Sequence, residues 1–140
     1  MTAPTTVQAA IDLFQVAFDG ISGIQSAPAD PPDRPDAFPF ITTYAIRLRT
    51  FTNTPEDFRA LWTLRVDLFV GLTGLPESIQ ALLTFPETVL NAMHSVIKTN
   101  AIPCDIQSVE GEYVSLTWGG IECVGFSYYI RDVKIVTTIT

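Results

Sequence analysis

The segment LWTLRVDLFV at residues 61–70 decides the fold class of this 140-residue chain. Its apolar residues alternate with Thr63, Arg65 and Asp67, which is the period-two pattern of a strand with one buried face. Gly71 follows directly and closes the strand. The chain is therefore expected to be built around a β-sheet.

Further strands are predicted on both sides of this segment. Residues 40–50 alternate in the same way, and residues 51–57 (FTNTPED) then indicate a loop. The last third of the chain predicts a β-meander from about 106 to 135, with turns at Glu110-Gly111-Glu112 and Gly119-Gly120. Its final strand is expected to be apolar on both faces, with Val124, Phe126, Tyr128 and Ile130 on one face and Cys123, Tyr129 and Val133 on the other.

Two regions show helical spacing. Residues 6–19 carry an apolar stripe, with Thr5 or Thr6 as the N-cap. A second helical region starts at Pro76, because a proline at the first helical position loses no needed donor. Pro86 is expected to split this region, since its ring clashes with the carbonyl four residues earlier.

Residues 27–39 (APADPPDRPDAFP) contain five prolines and predict an extended, exposed arm. An arm of this length is either an inert linker or a segment that reaches a neighbouring subunit. Together the elements predict a single α+β domain over residues 1–140. It combines a mainly antiparallel sheet of about four to five strands, helices packed on one face, and the proline-rich arm.

The composition indicates a chain that is covered by neighbours. Only 16% of the residues are charged and 47% are hydrophobic, whereas an ordinary soluble domain has roughly 25% charged residues. The net charge of −7 argues against a surface that binds nucleic-acid phosphates. Charges interrupt every apolar run, so no membrane span is predicted, and the absence of a signal pattern favours synthesis in the cytoplasm.

Residues able to carry chemistry are few and scattered. His94 has no acid and nucleophile arranged around it in the sequence, and Cys104 and Cys123 are spaced unlike zinc ligands. Without secretion, the cysteines are interpreted as reduced apolar residues. No catalytic residue, metal or cofactor is predicted, and the chain is not expected to be an enzyme.

A small basic patch is predicted where the first two strands pair. Arg47 and Arg49 share the polar side of one strand, and Arg65 lies on the polar side of the other. Patches of this kind are usually solvated or salt-bridged to neighbours such as Asp67, each exposed pair contributing about 0–1 kcal/mol. The alternative is that the patch orders the acidic surface of a partner.

The order of elements resembles that of tail terminator proteins of long-tailed bacteriophages. The resemblance spans nearly the whole chain and rests on element order, size and general character. It is carried by the N-terminal helix, the arm ending in DPPDRPDAFPFITTYAI, the strand LWTLRVDLFV, the helix opening with LPESIQALL, and the meander ending in ECVGFSYYIRDVKIVTTI.

The resemblance implies a structural virion protein at the tail–neck junction, made in the host cytoplasm. Its copies are expected to form a ring, generally a hexamer, that caps the tail tube, stops its polymerisation and provides the head-docking surface. The implied partners are the tail tube protein and head–tail connector proteins, with DNA only passing through the lumen and no membrane. Exposure and composition nominate as interface residues Pro31, Asp33, Arg34, Phe38, Arg47, Arg49, Phe51, Asn53 and Phe58.

Three alternatives stay open. The first is that the chain is another head–tail connector or the tail tube subunit itself. A tube subunit polymerises into stacked rings, whereas a terminator stops at one ring. A different class is a small-ligand-binding or catalytic α+β domain with its pocket between sheet and helix, which a ligand in the purified protein would reveal. The last is a plain cytoplasmic interaction module with no affinity for phage tubes.

Overall fold

The computed structural model describes residues 6–28, 37–52, 57–71, 80–102, 104–118 and 120–138. Within them the elements are α1 (Val7–Asp19), β1 (Phe40–Thr52), β2 (Asp57–Gly71), α2 (Pro86–Thr99), β3 (Asp105–Trp118) and β4 (Ile121–Thr138). The strands are antiparallel and follow the spatial order β1-β2-β4-β3. The predicted α+β class with an antiparallel sheet is confirmed.

Each helix begins at a local sequence signal, a threonine cap for α1 and a proline for α2. The Thr6 hydroxyl accepts a hydrogen bond of 3.1 Å from the backbone N–H of Ala9, which confirms Thr6 as the N-cap of α1. The helical residues 80–82 end in a turn and α2 then begins at Pro86, which confirms that this proline splits the second helical region. The predicted start of that region at Pro76 lies outside the described residues. The last turn of α2 carries Lys98, a charge that suits the helix dipole. Neither described helix is long and apolar enough to cross a membrane.

The core lies between the helices and one face of the sheet. Phe14 and Phe18 of α1 and Met93 of α2 are fully buried in one cluster with residues of the two central strands. Burying each large apolar side chain stabilises the fold by about 1.5–3 kcal/mol. The strand residues of this cluster include Leu64, Val66, Leu68, Val124, Tyr128 and Ile130.

The β1–β2 hairpin is longer than the sequence predicts. Phe51 pairs with Arg59 and Thr52 pairs with Phe58, and β2 already begins at Asp57. The prediction of a loop over residues 51–57 was therefore wrong at both of its ends. Aromatic and β-branched residues favour the pleated conformation, so the ladder continues past the point where the alternation weakens.

A bulge in β4 changes which face its last residues occupy. The register with β2 shifts between the pairs Trp62–Val133 and Leu64–Ile130, and Asp132 has a φ of 56°. Two residues of β4 oppose one residue of β2 there, which reverses the alternation of faces. Val133 is consequently buried in the helix-facing core, and the prediction that it lies on the face of Cys123 was wrong.

Strand β3 runs without interruption through the predicted turn at Glu110-Gly111-Glu112. Gly111 pairs with Tyr128 of β4, so the prediction of a turn there was wrong. A Cβ atom on Gly111 would lie 3.2 Å from the ring of Tyr128. The glycine therefore makes room for a core aromatic ring instead of reversing the chain.

The start of β1 is fastened to α1 and to the chain that follows α1. The Gln15 side-chain amide donates to the carbonyls of Pro28, at 2.7 Å, and Ile41, at 3.1 Å, and its oxygen accepts from Thr43 Oγ1 at 2.6 Å. Ser26 forms a parallel bridge with Phe40. The outer edge of β1 is thus covered at its beginning.

Candidate functional site

The sheet face opposite the helices is rich in Lys and Arg, and we name it the arginine face. Its described basic members are Arg47 and Arg49 on β1, Arg65 on β2, and Arg131 and Lys134 on β4. The register brings them together, because Arg47 pairs with Thr63 and Arg49 with Leu61, which share a side of β2 with Arg65. The predicted basic patch is confirmed and is extended by Arg131.

Asp67 organises the centre of the arginine face. This carboxylate is 2% exposed and accepts three hydrogen bonds: from Arg65 Nε at 2.8 Å, from Ser127 Oγ at 2.6 Å and from the Tyr44 hydroxyl at 2.5 Å. Arg65 also donates to Ser127 Oγ at 3.1 Å. The predicted Arg65–Asp67 salt bridge is confirmed, and it is part of a larger network joining three strands.

The network fixes the protonation of its members. Burial, followed by the hydrogen bond to Asp67, raises the pKa of the Tyr44 hydroxyl above its ordinary value. Burial lowers the pKa of the Arg65 guanidinium, but the hydrogen bond and charge of Asp67 outweigh it, so that pKa is raised. Burial, and then the charge of Asp67, raises the pKa of the Cys123 thiol. Tyr44 and Cys123 therefore stay neutral while Arg65 stays charged.

Aromatic rings hold the arginines in a row across the sheet. The Arg65 guanidinium lies 5.8 Å from the ring centroid of Tyr44 and 5.9 Å from that of Tyr129. Arg131 lies 5.8 Å from the same Tyr129 ring. Cation–π contacts of this kind contribute about 0.5–1 kcal/mol at exposed sites and more when desolvated. Guanidinium groups and rings therefore alternate across the sheet from Tyr44 to Arg131.

The buried Ser127 hydroxyl of this network already makes hydrogen bonds as both donor and acceptor. Ser127 is 0% exposed, and its Oγ donates to Asp67 while it accepts from Arg65. A nucleophilic serine needs a base to take its proton and an open approach to the substrate. Here the acceptor is a carboxylate that two further donors occupy, so the arrangement is suited to holding strands together.

One end of the arginine face is open and basic. A depression of about 190 Å³ is lined by Arg47, Arg49, Leu61, Thr63, Arg131 and Asp132. Arg49 contacts Asp132 at 3.1 Å, but the two side chains are 66% and 47% exposed, so this pair contributes little. Arg47 is exposed and makes no ion pair with a described residue. This end can accept a carboxylate from a partner.

The outer edge of β1 is exposed next to this basic end. Beyond the bridge at Phe40, no described strand pairs with that edge. Ile46 and Leu48 are 47% and 50% exposed, and they are two of the four large hydrophobic residues that are exposed among the described residues. Apolar and basic side chains therefore alternate along an open strand edge.

The opposite end of the arginine face is apolar and closed. Phe40, Phe69 and Cys123 are buried there, with Phe38 packed against them. The Phe38 ring approaches to 3.3 Å from the position that a Cβ atom on Gly71 would occupy. Phe38, a predicted interface residue, is therefore half-buried within the subunit.

The predicted interface residues are distributed unevenly. Arg47 and Arg49 are exposed and adjacent, whereas Phe51 and Phe58 lie within the paired β1–β2 hairpin. Outside the described residues lie Pro31, Asp33, Arg34 and Asn53. Sequence reasoning missed Tyr44, Ser127 and Tyr129; the signal that points towards them is the acidic residue in the middle of the apolar strand β2.

Other candidate chemistry stays dispersed. His94 is exposed on α2, and Cys104 and Cys123 are not joined in a disulfide. No group of three His, Cys, Asp or Glu residues that suits a metal occurs within the described parts of the chain. No family model matches the chain, and no curated protein matches it.

Proposed function

We propose that this chain is a structural virion protein, a phage tail terminator. Its copies form a ring that caps the tail tube, stops tube polymerisation and offers the head-docking surface. The observation that supports this most directly is the open outer edge of β1, where the exposed residues Ile46 and Leu48 alternate with the exposed residues Arg47 and Arg49. In this proposal the proline-rich arm at residues 27–39 contacts a neighbouring subunit.

An edge of this kind suits assembly. Strand β1 has 13 residues, a length of about 43 Å at roughly 3.3 Å per residue. The backbone groups of an edge strand are a template for pairing, and exposed apolar side chains on it favour association. The low charge content of the chain points the same way, because burial between subunits hides apolar surface from water.

The proposed mechanism is stoichiometric. Subunits bind the last ring of the tube and cover the surface that a further ring would use, so elongation ends without turnover of a substrate. A net charge of −7 is compatible with DNA passing through the lumen, since a surface poor in clustered Lys and Arg does not retain phosphates.

Absolute mass is the first test. Light scattering of the purified chain across about tenfold dilution, followed by negative-stain imaging, is expected to show one discrete ring. Purified tail tube protein from the same genome is then allowed to polymerise with and without the chain. Tubes that stop growing and carry a density at one end support the terminator.

The alternatives give different results. Open-ended stacked rings of this chain alone would assign it as the tube subunit. A ring that leaves tube growth unchanged but binds a connector protein would assign it to another position in the neck. A small anionic molecule that copurifies with the chain would favour the ligand-binding alternative, with the depression between Arg47 and Arg131 as its site.

A further inference from the structure

We propose that neighbouring copies of this chain join head to tail, with the β1 edge of one copy paired to the β3 edge of the next. In this interface Arg47 and Arg49 of one copy pair with Glu110 and Glu112 of its neighbour. The inference deepens the proposed function and rests on its ring, because it names the surfaces through which the ring closes.

The topology supplies two different edges. The strand order β1-β2-β4-β3 places β1 at one margin of the sheet and β3 at the other. No described strand pairs with the outer side of β3, and among the described residues the backbone bridge to the outer side of β1 is the one at Phe40. Two unlike edges on opposite margins form a heterologous interface, which generates a closed ring when the rotation between copies closes.

The two edges have opposite charge. Strand β1 (FITTYAIRLRTFT) contains two arginines and no acidic residue. Strand β3 (DIQSVEGEYVSLTW) contains three acidic residues and no basic one. Opposite charges placed across a strand pair stabilise it and like charges oppose it. Pairing β1 with β3 is therefore favoured over pairing either edge with itself.

The spacing of the charges matches as well. Arg47 and Arg49 are two residues apart on β1, and Glu110 and Glu112 are two residues apart on β3. Residues two apart on a strand share one face of the sheet. Both arrangements therefore place two charges side by side at the interval of one pleat.

The backbone register places residues 110 and 112 on the same face of the sheet as the arginine-face network. Glu110 pairs with Tyr129 and Glu112 with Ser127, and both partners belong to the arginine-face network. When a sheet continues from one copy into the next, its two faces continue with it. The acidic pair of one copy then occupies the same face as the basic pair of its neighbour.

Arg47 is the residue that most needs such a neighbour. It is exposed and makes no ion pair with a described residue, and it lies beside the depression that Arg49 and Arg131 also line. The start of β1 is covered by the bridge at Phe40, so a neighbouring copy would contact the part of the edge that contains Ile46 and Leu48. Charge pairing and burial of these two apolar side chains then act at one interface.

Charge reversal tests the pairing. Variant A carries Arg47→Glu and Arg49→Glu, and variant B carries Glu110→Arg and Glu112→Arg. Each alone opposes like charges and is expected to fall to the mass of one subunit, 15.4 kDa. An equimolar mixture of A and B restores opposite charges at every junction, as does a single chain with all four changes, and both are expected to recover the ring.

Controls separate pairing from folding and from net charge. Lys98→Glu and Asp19→Arg change exposed helix residues by the same sign of charge and are expected to leave the ring intact. Circular dichroism and thermal melting check that A and B fold; a variant that does not fold is replaced by Arg47→Ser with Arg49→Ser or Glu110→Gln with Glu112→Gln. These neutral pairs are expected to lower the assembled mass at equal concentration.

The outcomes distinguish this inference from the proposed function. A ring that persists in folded A and B, or that fails to return in the mixture and in the fourfold variant, overturns the edge pairing and leaves tube capping intact. A parent chain that is a monomer at every concentration overturns the pairing as well. If the charge variants behave as expected but the chain has no effect on tube growth, the terminator function is overturned and the edge pairing stands.

Discussion

At the scale of single residues, Asp67 is the group on which the arginine face depends. A buried carboxylate is costly unless its charge is paired and its oxygens are hydrogen-bonded. Asp67 meets both conditions through Arg65, Ser127 and Tyr44, which come from different strands. Its contribution is therefore to fix how β1, β2 and β4 stand relative to one another.

Replacing the Asp67 carboxylate is expected to destabilise the fold strongly. Asp67→Asn removes the charge and turns one acceptor into a donor, which leaves Arg65 partly buried without its counter-ion. We expect a loss of about 3 kcal/mol in the free energy of unfolding, the lower end of the range for breaking a buried pair. Urea denaturation measures this loss.

Asp132→Asn is the matched control for that experiment. It removes the exposed ion pair with Arg49, and asparagine tolerates the positive φ at this position. We expect a change of at most about 1 kcal/mol. Equal losses in the two variants would show that Asp67 acts as an ordinary surface carboxylate.

Two of the four tyrosines are expected to lower the free energy of unfolding at alkaline pH. Burial and Asp67 raise the pKa of Tyr44, and burial followed by the charge of Glu87 raises the pKa of Tyr128. Above the unfolded value of about 10, the unfolded chain loses protons that the folded chain keeps. Stability from these groups is therefore complete below about pH 10 and falls as the pH rises further.

The test compares slopes instead of absolute stabilities. The free energy of unfolding of the parent, followed by urea titration at several pH values above about 10, is expected to fall. Tyr44→Phe combined with Tyr128→Phe is expected to make the free energy of unfolding fall less steeply with pH. In the parent, part of the tyrosinate absorbance is expected to develop only when the chain unfolds. An unchanged slope in the double variant would contradict the assignment.

At the scale of elements, local signals identified where helices and strands begin. The Thr6 cap, Pro86 and the alternation of β2 act through neighbouring residues, so the sequence alone revealed them. The bulge at Asp132 in β4 depends on the pairing with β2, and the continuation of β3 through Gly111 depends on the pairing with β4. A glycine that makes room for Tyr128 has the same sequence signature as a glycine in a turn.

The candidate site divides in the same way. Arg47, Arg49 and Arg65 were predicted to share a face because alternation is a property of each strand. Tyr44 and Ser127 lie 23 and 60 residues from Asp67 along the chain, so only the pairing register brings them to it. A network assembled from three strands carries no local motif that a single sequence reveals.

Gly125 of β4 lies where β2 leaves no room for a side chain. A Cβ atom there would lie 1.9 Å from the carbonyl oxygen of Leu68, and backbone cannot move aside as a flexible side chain does. We expect Gly125→Ala to cost about 3 kcal/mol, at the upper end for overpacking. Thermal and urea unfolding measure the loss.

Gly120→Ala, in the turn between β3 and β4, provides the comparison. Its Cβ would meet nothing within 4 Å, but the φ of 81° is unfavourable for a side chain. We expect a cost of about 1–2 kcal/mol from backbone strain alone. A larger loss at Gly120 than at Gly125 would show that the turn, and not strand contact, limits this part of the sheet.

At the scale of the whole molecule, the exposed apolar residues are not spread evenly over the surface. The described surface exposes only four large hydrophobic residues, and Ile46 and Leu48 stand together on β1. Single exposed apolar residues are ordinary, whereas apolar residues on an open strand edge favour pairing. The edge, rather than the composition as such, is therefore the feature that association is expected to use.

Polar replacement at this edge tests that expectation. Ile46→Thr with Leu48→Thr keeps residues that favour strands but removes apolar contact area. We expect the assembled fraction at a fixed concentration to fall by roughly tenfold or more, since losing about 1.4 kcal/mol per junction changes each equilibrium tenfold. Stability of the monomer is expected to change by less than about 1 kcal/mol, because both side chains are already half exposed.

Val16→Thr is the control for that pair of changes. Val16 is 74% exposed on α1 and belongs to no strand, and its replacement is expected to leave assembly unchanged. Light scattering across a dilution series compares the three chains. Equal assembly in all three would remove the β1 edge from the interface.

Salt separates the apolar part of the interface from the charged part. Raising the ionic strength from about 0.1 M to 1 M shortens the screening length from about 10 Å to 3 Å, which weakens the attraction between basic and acidic edges and leaves apolar burial in place. The parent is therefore expected to lose part of its assembled mass. The chain with Ile46→Thr and Leu48→Thr, whose remaining attraction is mainly electrostatic, is expected to lose a larger fraction over the same range. Assembly that strengthens with salt in both chains would mean that apolar contact alone joins the copies and that the charges of β1 and β3 do not meet.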